Sequence, residues 1–278
     1  MKYAKVPKEK PVNPIVLAHG LLGFDELHLV SPSLPGIRYW RGITEELSRR
    51  GVEVITARVP PSGSIEARAA RLAASIAEKA SGKSVNIIAH SMVWLGKGLD
   101  SRYMISQLRP NQVDVRTLTT IATPHRGSAF ADYMLEAIGT DRLPKVYHML
   151  EYFGLETGAF SQLTRQYMAQ NFNPKTPDVE GIKYYSYGAY LEAKNWSIFR
   201  PAYDIIRDLE GAPNDGLVSV PSSKWGTYKG TLVGVSHLEV INWTNGFKQL
   251  LGLLTASNNF NAVAFYLAIA DMLAKEGH

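Results

Sequence analysis

Ser84-Val85-Asn86-Ile87-Ile88-Ala89-His90-Ser91-Met92 reads as a short buried strand that runs straight into a serine. Apolar and β-branched residues fill Val85 to Ala89, and the helical run Leu99-Asp100-Ser101-Arg102-Tyr103-Met104-Ile105 follows soon after. Strand, exposed serine and helix make the layout of a nucleophile elbow, in which a sharp turn lifts a hydroxyl above the edge of a parallel sheet. Such a turn needs small residues two before and two after the serine, because strand and helix pass closely there. Ala89 meets the first requirement, and Val93 departs from the second.

Working outward, the rest of the chain alternates strand and helix. Ile15-Val16-Leu17-Ala18 is an expected buried strand, ended by His19-Gly20-Leu21-Leu22-Gly23-Phe24, whose glycines permit a tight loop with free backbone N–H groups. A helix is expected over Tyr39 to Arg50 with Gly51 as its C-terminal cap, then a strand over Val52 to Ala57. Ser64 can cap a long helix from Ile65 to Lys79, where Ile65, Ala69, Leu72 and Ile76 recur at helical spacing. Beyond the elbow, Val115 to Ala122 is a β-rich run that leads into Thr123-Pro124-His125-Arg126-Gly127-Ser128. This alternation predicts an α/β fold with a mostly parallel sheet covered by helices on both faces. Function then belongs at the carboxyl ends of the strands.

From Ser128 to about Pro177 the pattern turns helical, over Ala129 to Ile138, Val146 to Phe153 and Phe160 to Phe172, with many apolar and aromatic residues. Stripes of that kind serve equally as core-facing helices or as the inner face of a cap that receives an acyl chain. Strands resume at Ile182 to Tyr187 and Gly230 to Val235, and a final helix runs from Phe260 to Lys275. The reading is a single domain over 1–278, with a helical cap or lid inserted at about 128–180.

Composition narrows the class. A chain of 278 residues with 45% apolar content can bury one large core, and its net charge of +5 is spread in short clusters such as Lys8-Glu9-Lys10. Scattered charge of this size describes a solvated surface, at most weakly drawn to anionic lipid, and not a nucleic-acid groove. There is no cysteine, hence no disulfide framework and no cysteine metal site. No segment is long and apolar enough for a transmembrane helix, and Met1 to Lys8 lacks the apolar run of a signal peptide, so an intracellular protein is expected.

A serine hydroxyl is a poor nucleophile at neutral pH, so a histidine must take its proton and a carboxylate must orient that histidine. In this layout the chain order is serine, acid, histidine. His237 stands where the strand Leu232 to Val235 runs out at Ser236, which is the place for the base. Upstream, Pro213-Asn214-Asp215-Gly216-Leu217-Val218 puts Asp215 in a tight turn and makes it the leading acid, with Asp204 and Asp208 as rivals on an expected helix. The oxyanion needs fixed backbone donors, here the amides of Met92, after the nucleophile, and of Leu21 in the first loop.

Taken together, His19 to Phe24, Ala89 to Met92, Thr123 to Ser128, Asn214 to Val218 and Ser236-His237-Leu238-Glu239 resemble the motif series of α/β-hydrolase triacylglycerol lipases. The likeness is greatest to the intracellular-type fungal lipases, which are in turn similar to bacterial lipases of the Pseudomonas and Burkholderia group. It spans about Pro14 to Lys275. The resemblance implies an α/β-hydrolase fold with Ser91 as nucleophile, Asp215 as acid, His237 as base, Leu21 and Met92 as oxyanion donors, and a helical lid. It implies an acylglycerol or other lipid ester as substrate, met at a lipid–water interface, and no cofactor. His90 and His125 would lie near the site without serving as the base. In the bacterial relatives an aspartate after the catalytic histidine helps bind calcium; Glu239 stands there here, no second ligand is assignable, and no metal is expected.

One stretch departs from the family. Those lipases read His-Ser-Met-Gly-Gly-Leu-Asp-Ser-Arg, whereas Val93 to Gly98 stand between Met92 and Leu99 here, four residues more. Four residues approximate one helical turn, so the helix start can lengthen, or the segment can bulge as a loop. Either route puts Val93 and Trp94 beside an oxyanion donor, and the expectation is a lipase with an altered or impaired elbow. The alternatives are a phospholipase or thioesterase with the same triad, or a catalytically silent lipid-binding scaffold.

Overall fold

Every residue of Ile15–Ala18 (β1) is buried, as a strand flanked on both edges and covered on both faces requires. The computed structural model describes residues 9–18, 26–27, 37–38, 40, 42–57, 59, 63–80, 82–90, 97–136, 161–191, 199–242 and 260–278. Leu21, Ser91, Met92, the segment Val93 to Gly96 and the helix expected over Val146 to Phe153 lie outside these residues.

After β1 come two-residue strands at Glu26–Leu27 (β2) and Ile37–Arg38 (β3), which pair antiparallel with each other. They were not foreseen, because two residues carry no periodicity. Then follow Ile43–Arg49 (α1), Val54–Ala57 (β4), Ile65–Ala80 (α2), Ser84–His90 (β5), Lys97–Tyr103 (α3), Asp114–Ile121 (β6), Ala129–Glu136 (α4), Lys183–Tyr190 (β7) and Thr227–Val233 (β8). A helix over Arg200–Glu210 lies between β7 and β8, and Ala262–Lys275 is the C-terminal helix.

The six-stranded sheet has the order β4-β1-β5-β6-β7-β8, and every neighbouring pair is parallel. The α/β expectation holds. Alternate side chains of β1 enter different cores. Ile15 and Leu17 pack with Ile43 and Leu47 of α1 and with Phe265, Tyr266 and Ile269 of the C-terminal helix. Val16 and Ala18 pack with Ala69, Leu72 and Ile76 of α2. Burying each such Leu or Ile contributes about 1.5–3 kcal/mol, so the two apolar faces of one strand select helices for both sides.

Several boundaries moved. α1 starts at Ile43, later than Tyr39, and Gly51 takes φ +75 beyond its end, as a cap must. Ser64 Oγ accepts from the Ala67 amide at 3.3 Å and starts α2 as expected. The helix expected from Phe160 to Phe172 starts afresh at Arg165, because Thr164 adopts an extended conformation and caps it, its side chain accepting from the Tyr167 amide at 3.1 Å. Downstream of α3 the helix widens into a π-helix over Met104–Leu108. The Ser128 amide donates to the Leu163 carbonyl at 2.9 Å, and Phe130 and Met134 of α4, with Leu163, Met168 and Phe172, are buried in the same core as Ile15 and Leu17.

Candidate active site

Asp215, the candidate acid, stands in a turn built by its own residues. Asn214 Oδ1 accepts from the Gly216 amide at 2.9 Å, and Asp215 Oδ1 accepts from the amides of Leu217 at 3.0 Å and Val218 at 2.8 Å. Gly216 has φ +98, and a Cβ there would sit 2.6 Å from Phe199 Cβ, so only glycine passes through this turn unstrained. One carboxylate oxygen is therefore spent on the backbone. The other, Oδ2, faces His237 Nδ1 at 2.7 Å. Both side chains are fully buried. The rivals are engaged elsewhere: Asp204 pairs with Arg200 and Arg207, and Asp208 with Arg207.

His237 lies in the loop just after β8, and two devices hold it. Its amide donates to the Asp215 carbonyl at 3.1 Å. Glu239 Oε2 accepts from the Ser236 amide at 2.8 Å while the Glu239 amide donates to the Ser236 carbonyl at 3.1 Å. The two bonds close a turn around the histidine, with the Glu239 side chain reaching back to the Ser236 amide as the Glu of a capping box does. Glu239 was read from the sequence only as a stand-in for a calcium ligand; the Ser-x-x-Glu spacing was the signal for its structural role. Among the described residues no group of three His, Asp or Glu side chains could hold a metal ion.

With Nδ1–H donated to the carboxylate, the lone pair of His237 is on Nε2. That atom is buried and has no hydrogen-bond partner among the described residues. That is the orientation a general base requires. Beside it lies His90, the last residue of β5 and the neighbour in sequence of Ser91, with ring centroids 4.7 Å apart and planes at 44°. Burial, and next the nearby His237, push the His90 imidazole well below its usual range, against a backbone hydrogen bond with His237 that works the other way.

His125 belongs to a separate cluster. Its Nδ1 faces Arg102 Nη1 at 3.4 Å and its Nε2 faces Thr120 Oγ1 at 2.9 Å, which occupies both ring nitrogens and leaves no role as the base. Burial first, then Arg102 and Arg126, hold it well below the ordinary histidine range. Arg102, pushed down to about 10 chiefly by burial, stacks 3.5 Å over the Trp225 ring and bonds Asn173 Oδ1 at 2.8 Å and the Thr176 carbonyl at 2.9 Å. The Thr123 to Ser128 loop reaches the acid instead through Ser128 Oγ, which donates to the Leu217 carbonyl at 3.1 Å.

Gly98 was missed as a site-shaping residue. A Cβ on it would meet Thr123 Oγ1 at 2.3 Å, so the start of α3 passes the loop after β6 this closely only because position 98 is bare.

A parallel sheet in this order, carrying an oriented acid–histidine pair beyond its last strands, has the architecture of an α/β-hydrolase. The chain belongs to the triacylglycerol lipase family. A Saccharomyces cerevisiae protein named triacylglycerol lipase 2 is 37% identical over 320 residues, covering 98% of this chain and 95% of its own. That alignment is longer than the 278 residues here, so the yeast protein has segments this chain lacks. A Vibrio cholerae triacylglycerol lipase is 30% identical over 273 residues, covering 85% of this chain and 82% of its own. The fold is shared with the Staphylococcus hyicus lipase structure at TM-score 0.63 and 20% identity, over 99% and 98% of the two chains. It is shared with a metagenomic carboxyl esterase structure at TM-score 0.70 and 18% identity, over 99% and 80%. No protein-family profile matches the sequence.

Proposed function

We propose that this chain hydrolyses acylglycerol esters through an acyl-enzyme on Ser91. The observation that carries the reading is the buried Asp215–His237 pair, with Nδ1 committed to the acid at 2.7 Å and Nε2 without a hydrogen-bond partner among the described residues. Ser91 follows His90 in the chain, and the His90 ring stands 4.7 Å from that of His237. His237 takes the Ser91 proton as the hydroxyl attacks the ester carbonyl, and the amides of Leu21 and Met92 hold the oxyanion. His237 then gives the proton to the departing alcohol and activates water for deacylation.

The segment at about 128–180 carries the inserted cap with an acyl-binding inner face; the Ser128–Leu163 hydrogen bond brings two points of it together, while Phe130, Met134, Met168 and Phe172 anchor it in the main core. The enzyme meets its substrate at a lipid–water interface inside the cell, as the likeness to intracellular-type fungal lipases implies. Among the described residues no helix is long and apolar enough to cross a membrane.

The test is hydrolysis of p-nitrophenyl esters of rising chain length and of emulsified triacylglycerol, with Ser91→Ala alongside. Activity that vanishes in Ser91→Ala and rises on emulsion supports the reading. Activity that persists in folded Ser91→Ala refutes the nucleophile. A folded wild type with no activity on any ester favours the silent scaffold.

A further inference from the structure

The geometry points to His90 as a positioning residue for the catalytic base, holding the His237 segment by its backbone and its ring flank. This rests on the assignment of His237 above. β5 is a seven-residue strand hydrogen-bonded to β1 on one side and to β6 on the other, with His90 in register with Ile121. Its last residue is thus anchored in the sheet through its pairing with β6. His237, by contrast, lies in irregular backbone beyond β8, an edge strand of the sheet. A base within reach of a hydroxyl must be placed to well under an ångström, and a turn alone leaves freedom across the ring plane.

His90 removes that freedom. It is fully buried, its ring lies 4.7 Å from the His237 ring at 44°, and it is hydrogen-bonded to the His237 backbone. That contact favours the protonated ring, as a ring N–H directed at a backbone carbonyl does. A residue that only filled space here would be apolar, since a buried imidazole costs desolvation unless it finds a partner. The partner it finds is the main chain of the base. The ring must also stay neutral, because a second cation at this distance would oppose the imidazolium that His237 becomes when it takes a proton. Its burial secures that, and with it His237 is held from three directions: the Asp215 carboxylate, the Asp215 carbonyl and the His90 ring.

The test uses the full chain with His90→Phe, which keeps a ring and removes the donor, and His90→Gln, which keeps a donor and removes the ring. The readouts are kcat and KM on p-nitrophenyl butyrate, and the far-downfield proton resonance of the Asp215–His237 hydrogen bond. His90→Phe is expected to lower kcat about 10- to 100-fold with KM within about two-fold, and to shift or broaden the resonance. His90→Gln is expected to recover most of both. A folded His90→Phe with wild-type kcat and resonance overturns the proposal, as does His90→Gln impaired as badly as His90→Phe. Should His90→Phe not fold, His90→Gln decides by keeping or losing the resonance. The resonance is read in Ser91→Ala as well, so failure of the serine assignment leaves this arm intact. If Asp215→Asn leaves the resonance in place, the base assignment fails and His90 falls with it.

Discussion

His237 and Asp215 are joined twice, ring Nδ1 to carboxylate Oδ2 at 2.7 Å and amide to carbonyl at 3.1 Å. The second bond sets where the histidine backbone sits, and the first sets which nitrogen carries the proton. Asp215→Asn separates the two. The asparagine oxygen can still receive the Leu217 and Val218 amides, so the turn survives, while its NH2 faces Nδ1 and forces the proton onto Nε2. Ester hydrolysis is expected to fall about 1,000- to 10,000-fold, the scale of a wrong tautomer in serine hydrolases. Thermal unfolding should change little. Asp215→Ala, which strips the turn of its acceptor, should lose activity and also melt lower.

Gly98→Ala is expected to destabilise the fold by about 1–3 kcal/mol, the usual cost of overpacking a closed contact. The new methyl would meet Thr123 Oγ1 at 2.3 Å and Cγ2 at 2.5 Å, both of which Thr123→Ala removes. Denaturant unfolding of the two single variants and the double should therefore show a favourable coupling between them. Additive losses would place the clash elsewhere.

The family likeness at the elbow yields a second test of that crossing. Removing Val93, Trp94, Leu95 and Lys97 leaves Met92-Gly96-Gly98-Leu99 and the helix face of Leu99 and Asp100. Turnover of a p-nitrophenyl ester is expected to rise, up to about 100-fold if the extra residues displace an oxyanion donor by about 1 Å. An unchanged rate in a folded deletion variant would show that the longer segment does not impair the elbow.

The sequence made the sheet legible because parallel strands between two helix layers are written as unbroken apolar runs, as in Ile15 to Ala18 and Val85 to Ala89. Asp215 and His237 were legible because chain order and strand ends leave few candidates, and the fold brings those two together. Gly98 was not, because its role depends on Thr123, 25 positions away, and distance in sequence hides a close crossing. Glu239 was legible only as a carboxylate after the histidine; its bond to the Ser236 amide is written in the Ser-x-x-Glu spacing, at which a side chain reaches back to the backbone. The break at Thr164 also went unread, since apolar spacing on either side of a cap continues the same helical phase.

The buried ion pair between α2 and α3 sets a limit on substitution near the elbow. Arg68 meets Asp100 through two bonds, Nε to Oδ2 at 3.0 Å and Nη2 to Oδ1 at 2.9 Å, and both side chains are almost wholly buried. Removing one partner strands the other charge out of water, at a cost of about 3–5 kcal/mol. Arg68→Met and Asp100→Leu should each show that loss in urea unfolding, and the double variant should be less damaged than either. A double variant that loses the sum of both would mean that the two charges are not coupled.

Stability should decline on mild acidification because two histidines are buried neutral. His90 and His125 both lie well below 6.5 in the folded chain, each chiefly through burial. Above about pH 6.5 neither binds a proton in either state, so they contribute no slope. Below it the unfolded chain binds protons that the folded chain refuses, and stability falls by up to about 1.4 kcal/mol per pH unit for each histidine, until the folded pKa is reached. Carboxylates held below 4.5, such as Glu66 and Glu276, lose their contribution only in a lower window. For His125 the neighbouring charges are Arg102 and Arg126, both cationic, so none of them offsets the burial. Urea unfolding from about pH 7.5 to about pH 5 should show the decline, and His125→Gln should reduce its slope by about one proton. A slope that His125→Gln leaves untouched would mean that His125 takes its proton in the folded state as readily as in the unfolded one.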